Sequence, residues 1–568
     1  MIEKKLIRVN LKNGEISVTS SEKEYATLGG RAFTSTIISK EVTPDCHPLG
    51  PYNKLVIAPG LISGTSFSSS NRLSVGGKSP LTGGIKESNA GGDCAIKLGR
   101  MGIKGIIIED IVPEEEGFKI LYISPDEVRL DEAGDIVGLN VYDSRAKLHE
   151  RYGRKAALMI IGRAGEFRMP IAKIVLTDKD GLPGRSAGRG GMGAVMGSKR
   201  LKAIVIDNKG IDLFKGNELL SQTVKEYAKL IIENPSMGER YPYYGTAGNL
   251  TFINNMTGLP TRNFSQGQYD KIENISGEKM FEVQSERKGK ARIPHACMPG
   301  CLVRCSKEYV DSEGKLLCQS FEYETLCLMG SNLDVDDLDE IARMNYYSDD
   351  IGFDTMDSGV ALGVLSEAGV IPFGDIEGYK DALRQVGQNT PLGRLVGAGA
   401  EICGKVYGIR RTPAVRGQGI PAYDPRFCKG LGVTYATSPM GADHTAGTTL
   451  FLTMDHKDKD IQVEGSKQIQ RTCTMIDALG VCFITLKLAT ANIDLLEDMT
   501  EIVTGDKLSI DSLTDQAEQI LKIEREFNEG AGFSKKSNVL PEFFRDEPVI
   551  PSDGRFDVDK EAIQNIYG

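Results

Sequence analysis

A short cassette occurs twice in this chain and constrains its architecture more than any other feature. Asp349-Asp-Ile-Gly-Phe-Asp354 and Asp477-Ala-Leu-Gly-Val-Cys482 share one pattern: Asp, two residues, Gly, one residue, then Asp or Cys. Each follows a segment of helical periodicity, Asp336–Ser348 and Glu464–Ile476, and each precedes another, Thr355–Ala368 and Phe483–Ala491. Read blandly, each copy is a helix C-cap at Gly352 or Gly480, with Asp354 capping the next helix. That reading explains one copy and leaves the repetition unexplained. Two equivalent polar corners suit a ligand with two similar halves, whose N–H donors the carboxylates would accept.

At 568 residues the chain can bury several cores, and two or three domains are expected. Apolar content of 40% and charged content of 26% are ordinary for a globular protein. A net charge of -10 gives no global attraction to nucleic acid or to an anionic membrane, so neither is expected as a partner. The start, Met1 to Asn10, has no apolar stretch of signal-peptide type and reads as a strand entering an Asn13-Gly14 turn. No apolar run approaches membrane length, and a cytoplasmic location is the default expectation. Eleven cysteines in that setting point to cofactor ligands and buried thiols, not disulfides.

The expected fold class is α+β: a β-rich N-terminal domain at 1–207, then two mainly α-helical domains at 208–412 and 413–568. Strand candidates are Leu6–Asn10, Glu15–Thr19, Lys54–Ala58, Gly105–Glu109, Ala156–Ile161 and Lys202–Asp207. Ser88–Arg100 and Arg185–Arg200 each lead from a Gly-rich helix-like stretch into a strand, as related loop–helix–strand units. Helical periodicity takes over from Asn217, as in Asn217–Asn234 and Glu377–Val386, and a Pro/Gly/Arg-rich link, Arg410–Pro421, marks a second boundary. The tail Leu540–Pro548 reads as a loop over the surface or a neighbouring domain.

Cys297-Met-Pro-Gly-Cys301-Leu-Val-Arg-Cys305 is the strongest local signal. Cluster iron needs thiolates converging on one small volume, commonly four. Cys301 and Cys305 at i,i+4 would share a helix face, and a Pro299-Gly300 turn would swing Cys297 toward them. Cys482 would be the fourth ligand, brought in by the fold. Zinc, with His295 nearby, and three inert thiols are the alternatives. The other cysteines are scattered and read as core thiols.

Two loops, Lys78–Gly92 and Arg185–Lys199, place small residues before a helix, where exposed amides bind phosphate, and Arg72 can add a bidentate clamp. Each is equally well a structural turn, and neither matches a Rossmann or Walker signature. Glu322, Glu324 and His444 are the acid–base candidates. A solvated face accounts for the two glutamates as they stand; His444 lies in a Gly-flanked loop, an odd place for a core histidine.

Taken together, these residues resemble the aldehyde:ferredoxin oxidoreductases, tungsten enzymes with a bis-pterin cofactor and one 4Fe–4S cluster. The resemblance runs nearly end to end, through Gly29–Phe33, Ser79–Gly84, Glu87–Gly92, Gly188–Lys199, the cysteine run, both cassettes, Asp424-Pro-Arg426, Tyr435–Ser438 and the tail. It implies that the β-rich domain is a base for the cofactor and that each helical domain gives one cassette to one pterin. It implies that Arg72, Asn89, Gly91, Arg185, Ser186, Gly188 and Arg189 hold the pterin phosphates. A magnesium ion would bridge those phosphates, on main-chain oxygens of Asn89 and Ser186. Asp349, Phe353 and Asp354 would meet one pterin, and Asp477, Val481 and Cys482 the other. Cys297, Cys301, Cys305 and Cys482 would ligate the cluster. Glu324, with Glu322 as the alternative, and His444 would flank the metal, which takes dithiolene sulfurs; molybdenum could replace tungsten.

The implied reaction oxidises an aldehyde to a carboxylic acid and passes electrons through the cluster to ferredoxin or a small ferredoxin-like subunit. Rival readings are a same-fold enzyme acting on aldose sugars or reducing an activated aromatic acid, and a non-catalytic iron–sulfur electron-transfer protein. Two departures stand out. The cysteine spacing is C-x3-C-x3-C where archetypal members have C-x2-C-x3-C. Glu340-Ile-Ala-Arg343 has arginine where the E/D-x-x-H arrangement of metal-bridged dimers has histidine, so any oligomer is expected without that metal.

Overall fold

The computed structural model describes residues 3–287 and 291–567. Its first third holds two six-stranded sheets. One is built from β1 (Lys5–Asn10), β2 (Glu15–Ser20), β3 (Leu55–Pro59), β4 (Leu73–Lys78), β5 (Ile85–Ala90) and β6 (Ile103–Glu109). The other is built from β7 (Lys119–Ile123), β8 (Val128–Glu132), β9 (Ala157–Ile160), β10 (Ile174–Leu176), β11 (Arg185–Ala187) and β12 (Leu201–Ile206).

The strand orders are β2-β1-β6-β3-β4-β5 and β8-β7-β12-β9-β10-β11, one topology used twice. In each sheet the first and last strands of the set, β1 with β6 and β7 with β12, pair in parallel. All the other pairs are antiparallel. Even the irregularity repeats: register slips by one residue at Lys104 in the first sheet and at Lys202 in the second. Both lysines are buried and donate to a main-chain oxygen, of Ala26 and of Leu139.

The six strands expected from β-branched runs are all present, because β3, β6 and β12 bury nearly every residue and favour such side chains. The hairpin of β7 and β8 is not among the candidates, and four others escape pattern reading: β4 and β5 are rich in Gly, Ser and Lys, and β10 and β11 are three residues long. Burial between neighbours, not propensity, makes them strands. The two sheets share one apolar core, with Ile7, Val75 and Ile106 from one and Met159, Leu176 and Ile204 from the other. The Cys94–Arg100 and Met192–Ser198 helices of the two loop–helix–strand units plug into it.

Helices dominate from Glu218 onward. Leu338–Ile351, Thr355–Glu367 and Ile376–Gln388 surround one core. Gln462–Leu479 and Ile493–Thr504 contribute to another, and Gln462–Leu479 also packs on Ile510–Gly530 and on the Gly30–Glu41 helix of the first domain. Of the two courses expected for the tail, over the surface or over a neighbouring domain, it takes the second, with a short helix at Phe543–Asp546 in place of a plain loop. Phe543 and Phe544 are fully buried in a short helix and pack on Phe264 and Arg426, because two adjacent aromatics gain more from burial than a loop would. Glu340, the acid retained before the first cassette, is paired with Lys380 at 2.7 Å. Among the described residues no helix is long and apolar enough to cross a membrane.

Candidate active site

The cassettes do cap helices, and that is how they reach the sheets. Gly352 and Gly480 end their helices at φ +85° and +82°, which a side chain disfavours. Asp354 then caps the Thr355–Glu367 helix by accepting from Asp357 N at 2.9 Å. Each cassette is laced to one strand pair. Arg72 N and Lys173 N, just before β4 and β10, donate to the carbonyls of Gly480 at 3.2 Å and Gly352 at 3.0 Å. Cys482 N donates to Ser69 O at 2.7 Å, and Asp354 N to Ile171 O at 3.0 Å. Behind each cassette stands a glycine that follows β3 or β9. A Cβ on Gly60 would lie 2.1 Å from the Gly480 Cα, and one on Gly162 would lie 2.2 Å from the Ile351 carbonyl oxygen. The second cassette therefore sits on the first sheet as the first cassette sits on the second.

Equivalent positions follow from this overlay. Asn89 faces Ser74 on β5, and Ser186 faces Val175 on β11, two residues beyond Arg72 and Lys173 respectively. Strands β5 and β11 are neighbours across the seam between the sheets, so Asn89, Gly91, Ser186 and Gly188 come together there. Arg72, Gly91, Lys173, Arg185, Ser186, Gly188, Asp349 and Asp354 line one cavity of about 210 Å³.

The carboxylates of the cassettes are held differently. Asp349 pairs with Lys173 Nζ at 2.7 Å and accepts from Asn345 at 2.9 Å. Burial and the neighbouring Asp357 push Asp354 up to about 7. Burial and then the Glu87 carboxylate hold Asp477 well above the usual carboxylate range, although Arg31 lies 3.5 Å away. A neutral carboxyl offers both a donor and an acceptor to a heterocycle edge. Phe353 and Val481 are buried beside them.

The arginines divide by role. Arg72 donates to the Asn89 side chain and stands 4.0 Å from the Cys482 sulfur. Arg185 contacts Glu322 at 3.4 Å and donates to Ser306 beside the cysteine run. Arg189 is mostly engaged by protein: it bonds Asp357 at 3.2 Å, Ala442 O at 2.6 Å and Gly419 O at 2.5 Å, while its Nε has no hydrogen-bond partner among the described residues. Its side chain ties the first cassette to the His444 loop.

Cys297, Cys301 and Cys305 do not lie on a helix, contrary to the i,i+4 expectation. The run is irregular, with Gly300 at φ +76° and Arg304 at φ +48°, and His295 forms bridges with Cys305 and Ser306. Pro299 and these left-handed residues exclude a helix. The sulfurs converge all the same. A hydrogen bond from Cys301, helped by Arg185 and Arg72, holds the Cys297 thiol down at about 6. The Cys297 thiolate and burial push Cys301 up, with Cys305 and Cys482 adding to the effect. Burial pushes Cys305 and Cys482 up, and Cys297 contributes to both. Gly91 leaves room for them, since a Cβ there would stand 3.3 Å from the Cys297 sulfur. Four crowded cysteines beside two arginines, Cys297 drawn toward thiolate and the other three held as thiols, fit an iron–sulfur cluster, which replaces thiol protons with metal. All eleven cysteines are free of disulfides.

Glu324 and Glu322 separate clearly. Glu322 accepts from Thr246 at 2.8 Å and from Arg185, a structural bridge to the cysteine run. Glu324 accepts from Ala422 N at 2.8 Å through one oxygen, and its other oxygen lies 3.4 Å from His444 Nδ1. Burial raises the Glu324 pKa, against the opposing charge of His444. His444 is packed between Tyr423 and Phe483. Neither Oε1 of Glu324 nor Nδ1 of His444 has a hydrogen-bond partner among the described residues, so both are disposed toward a ligand. Sequence reasoning missed Lys173, Asn345, Asp357 and Tyr423. Lys173 was findable by overlaying the two halves; the others carry no local signal.

Comparison with known proteins fits this geometry. The family model for the aldehyde ferredoxin oxidoreductase N-terminal domain matches residues 6–208, and that for its domains 2 and 3 matches residues 222–567. The chain is 31% identical to a tungsten-containing aldehyde ferredoxin oxidoreductase of Pyrococcus horikoshii, over 99% of this chain and 95% of the relative. It is 26% identical to the WOR-like subunit of an aliphatic sulfonate oxidoreductase of Pyrococcus furiosus, over 79% of this chain and 75% of that one. Its fold is similar to the active site complex BamBC of benzoyl coenzyme A reductase, with a TM-score of 0.79 at 20% identity, covering 99% of this chain and 92% of that one.

Proposed function

Because the chain belongs to the aldehyde ferredoxin oxidoreductase family, we propose that it is a tungsten bis-pterin oxidoreductase converting an aldehyde to its carboxylic acid. Electrons leave through a 4Fe–4S cluster to ferredoxin or a ferredoxin-like subunit. One observation carries the reading: Cys482 closes the second cassette and also stands among the thiols of the cysteine run. The cofactor cradle and the iron site share a residue.

When bound, the bis-pterin metal supplies the two-electron chemistry and the cluster the one-electron relay. Cys297, Cys301, Cys305 and Cys482 would ligate the cluster. Asp349, Phe353 and Asp354 would meet one pterin, and Asp477 and Val481 the other. Arg72, Arg185 and the seam residues Asn89, Gly91, Ser186 and Gly188 would take the phosphates, with magnesium on the Asn89 and Ser186 main-chain oxygens.

Oxidation of an aldehyde hydrate to the acid releases two electrons and two protons. Glu324 takes one proton from the hydrate hydroxyl through its unpartnered oxygen, a general-base role. Its raised pKa makes that oxygen a stronger base than an ordinary carboxylate. His444 orients the substrate oxygen, held in place by Tyr423 and Phe483.

The test is elemental analysis of anaerobically purified protein from tungstate-supplied cells, followed by an aldehyde panel with a viologen acceptor. About one tungsten and four irons per chain with dye reduction are expected. Iron without tungsten or molybdenum, and no dye reduction, would leave a non-catalytic electron-transfer protein.

A further inference from the structure

We propose that Lys173 is a cofactor-positioning residue: it holds the pterin on the first cassette as Arg72 holds the one on the second. The inference rests on the bis-pterin reading above and goes beyond it in assigning a residue that no motif marks. The duplicated sheets carry the argument. Arg72 and Lys173 occupy the same place, one residue before β4 and β10, and both main-chain amides bond the cassette glycine. Counting on from them, Ser74 and Val175 face Asn89 and Ser186. Both side chains point into the same cavity.

The chemistry of the side chain agrees. Lys173 is 4% exposed. Its ammonium has three donors and no acceptor. Two are engaged, by Asp349 at 2.7 Å and Ser348 at 3.2 Å. The third is left for an acceptor in the cavity. A surface lysine would satisfy it with water; here the protein supplies nothing further among the described residues. The same bond to Asp349 fixes the cassette carboxylate, so one cation orders both the cassette and its ligand. Arg72 does the corresponding work with Asn89 and Cys482.

The test is the ratio of pterin and tungsten to iron in purified holoenzyme. Pterin is read as its fluorescent oxidation product, and tungsten and iron by elemental analysis. Loss of one charge-assisted hydrogen bond predicts that Lys173→Met lowers tungsten and pterin per iron about tenfold. Lys173→Arg should restore them, since arginine stands at the equivalent place. Wild-type ratios in the Met variant would overturn the proposal. Should that variant lose iron and fold as well, the comparison is Lys173→Met/Asp349→Asn against Asp349→Asn alone. A lower ratio in the double variant supports the proposal, and an equal ratio overturns it. Wild-type protein without pterin would sink the cofactor reading itself, a different result from either.

Discussion

Nδ1 of His444 lies 3.4 Å from Oε1 of Glu324. Glu324 belongs to the Tyr323–Leu328 helix and His444 to a turn before the second cassette helix, so the pair joins segments more than a hundred residues apart in the sequence. On the proposed mechanism Glu324, with only its Oε2 bonded by the protein, is the base, while Glu322 is engaged by Arg185 and Thr246. Glu324→Gln should lower kcat by about 10²–10⁴-fold, the usual worth of a general base, with tungsten and iron unchanged. Glu322→Gln should instead reduce iron retention. Full viologen-linked activity in the Glu324 variant would move the base elsewhere.

The pH profile follows from the same pair. As the proposed base Glu324 would act deprotonated, and burial holds its pKa above the ordinary value of about 4.3. Activity should therefore fall as pH drops through that raised pKa and level off above it. The charge of His444 opposes the shift. His444→Gln should then move the acid limb of kcat/KM to higher pH, besides lowering its plateau. An acid limb that stays put in this variant would mean that another group sets it.

Cys482→Asp turns the second cassette into the pattern of the first. Iron per chain should fall from about four to about three or fewer, because the cluster loses a thiolate. Tungsten should remain, since Asp354 already serves the equivalent corner. Unchanged iron would place the fourth ligand outside the cassette.

Gly480→Ala probes the docking. A Cβ would lie 2.7 Å from the Gly60 Cα, at φ +82°. Backbone strain of about 1–2 kcal/mol adds to a clash that neither glycine can relieve, so a loss above about 2 kcal/mol is expected in thermal unfolding. Gly14→Ala is the control, with φ +71° and nothing within 4 Å of a Cβ, and should cost only the backbone part. Equal losses for the two would show that the cassette is not packed as described.

Much of this fold is legible in the sequence, and the reasons are physical. Runs such as Ile106–Ile108 announce a strand because burial on both faces admits only such side chains. The cassettes announce themselves because a positive-φ glycine between two helices leaves a fixed residue pattern. Strand β4 stayed hidden since its Gly76 answers to another element: a Cβ there would lie 2.7 Å from the Thr34 Cβ. The i,i+4 cysteines misled for a related reason: spacing alone reads as helix, and Gly300 and Arg304 bend the run instead. Lys173 looks like any lysine until β10 is laid on β4.

The cradle is nearly a repeat of itself, strand for strand and glycine for glycine, and it differs at the last cassette position: carboxyl at Asp354, thiol at Cys482. A symmetric seat would offer charge two equal ways out and no reason to take either. One sulfur in place of one oxygen gives the molecule a polarity; on the proposed reading the half beside Arg72 would be the wire and the half beside Lys173 the anchor.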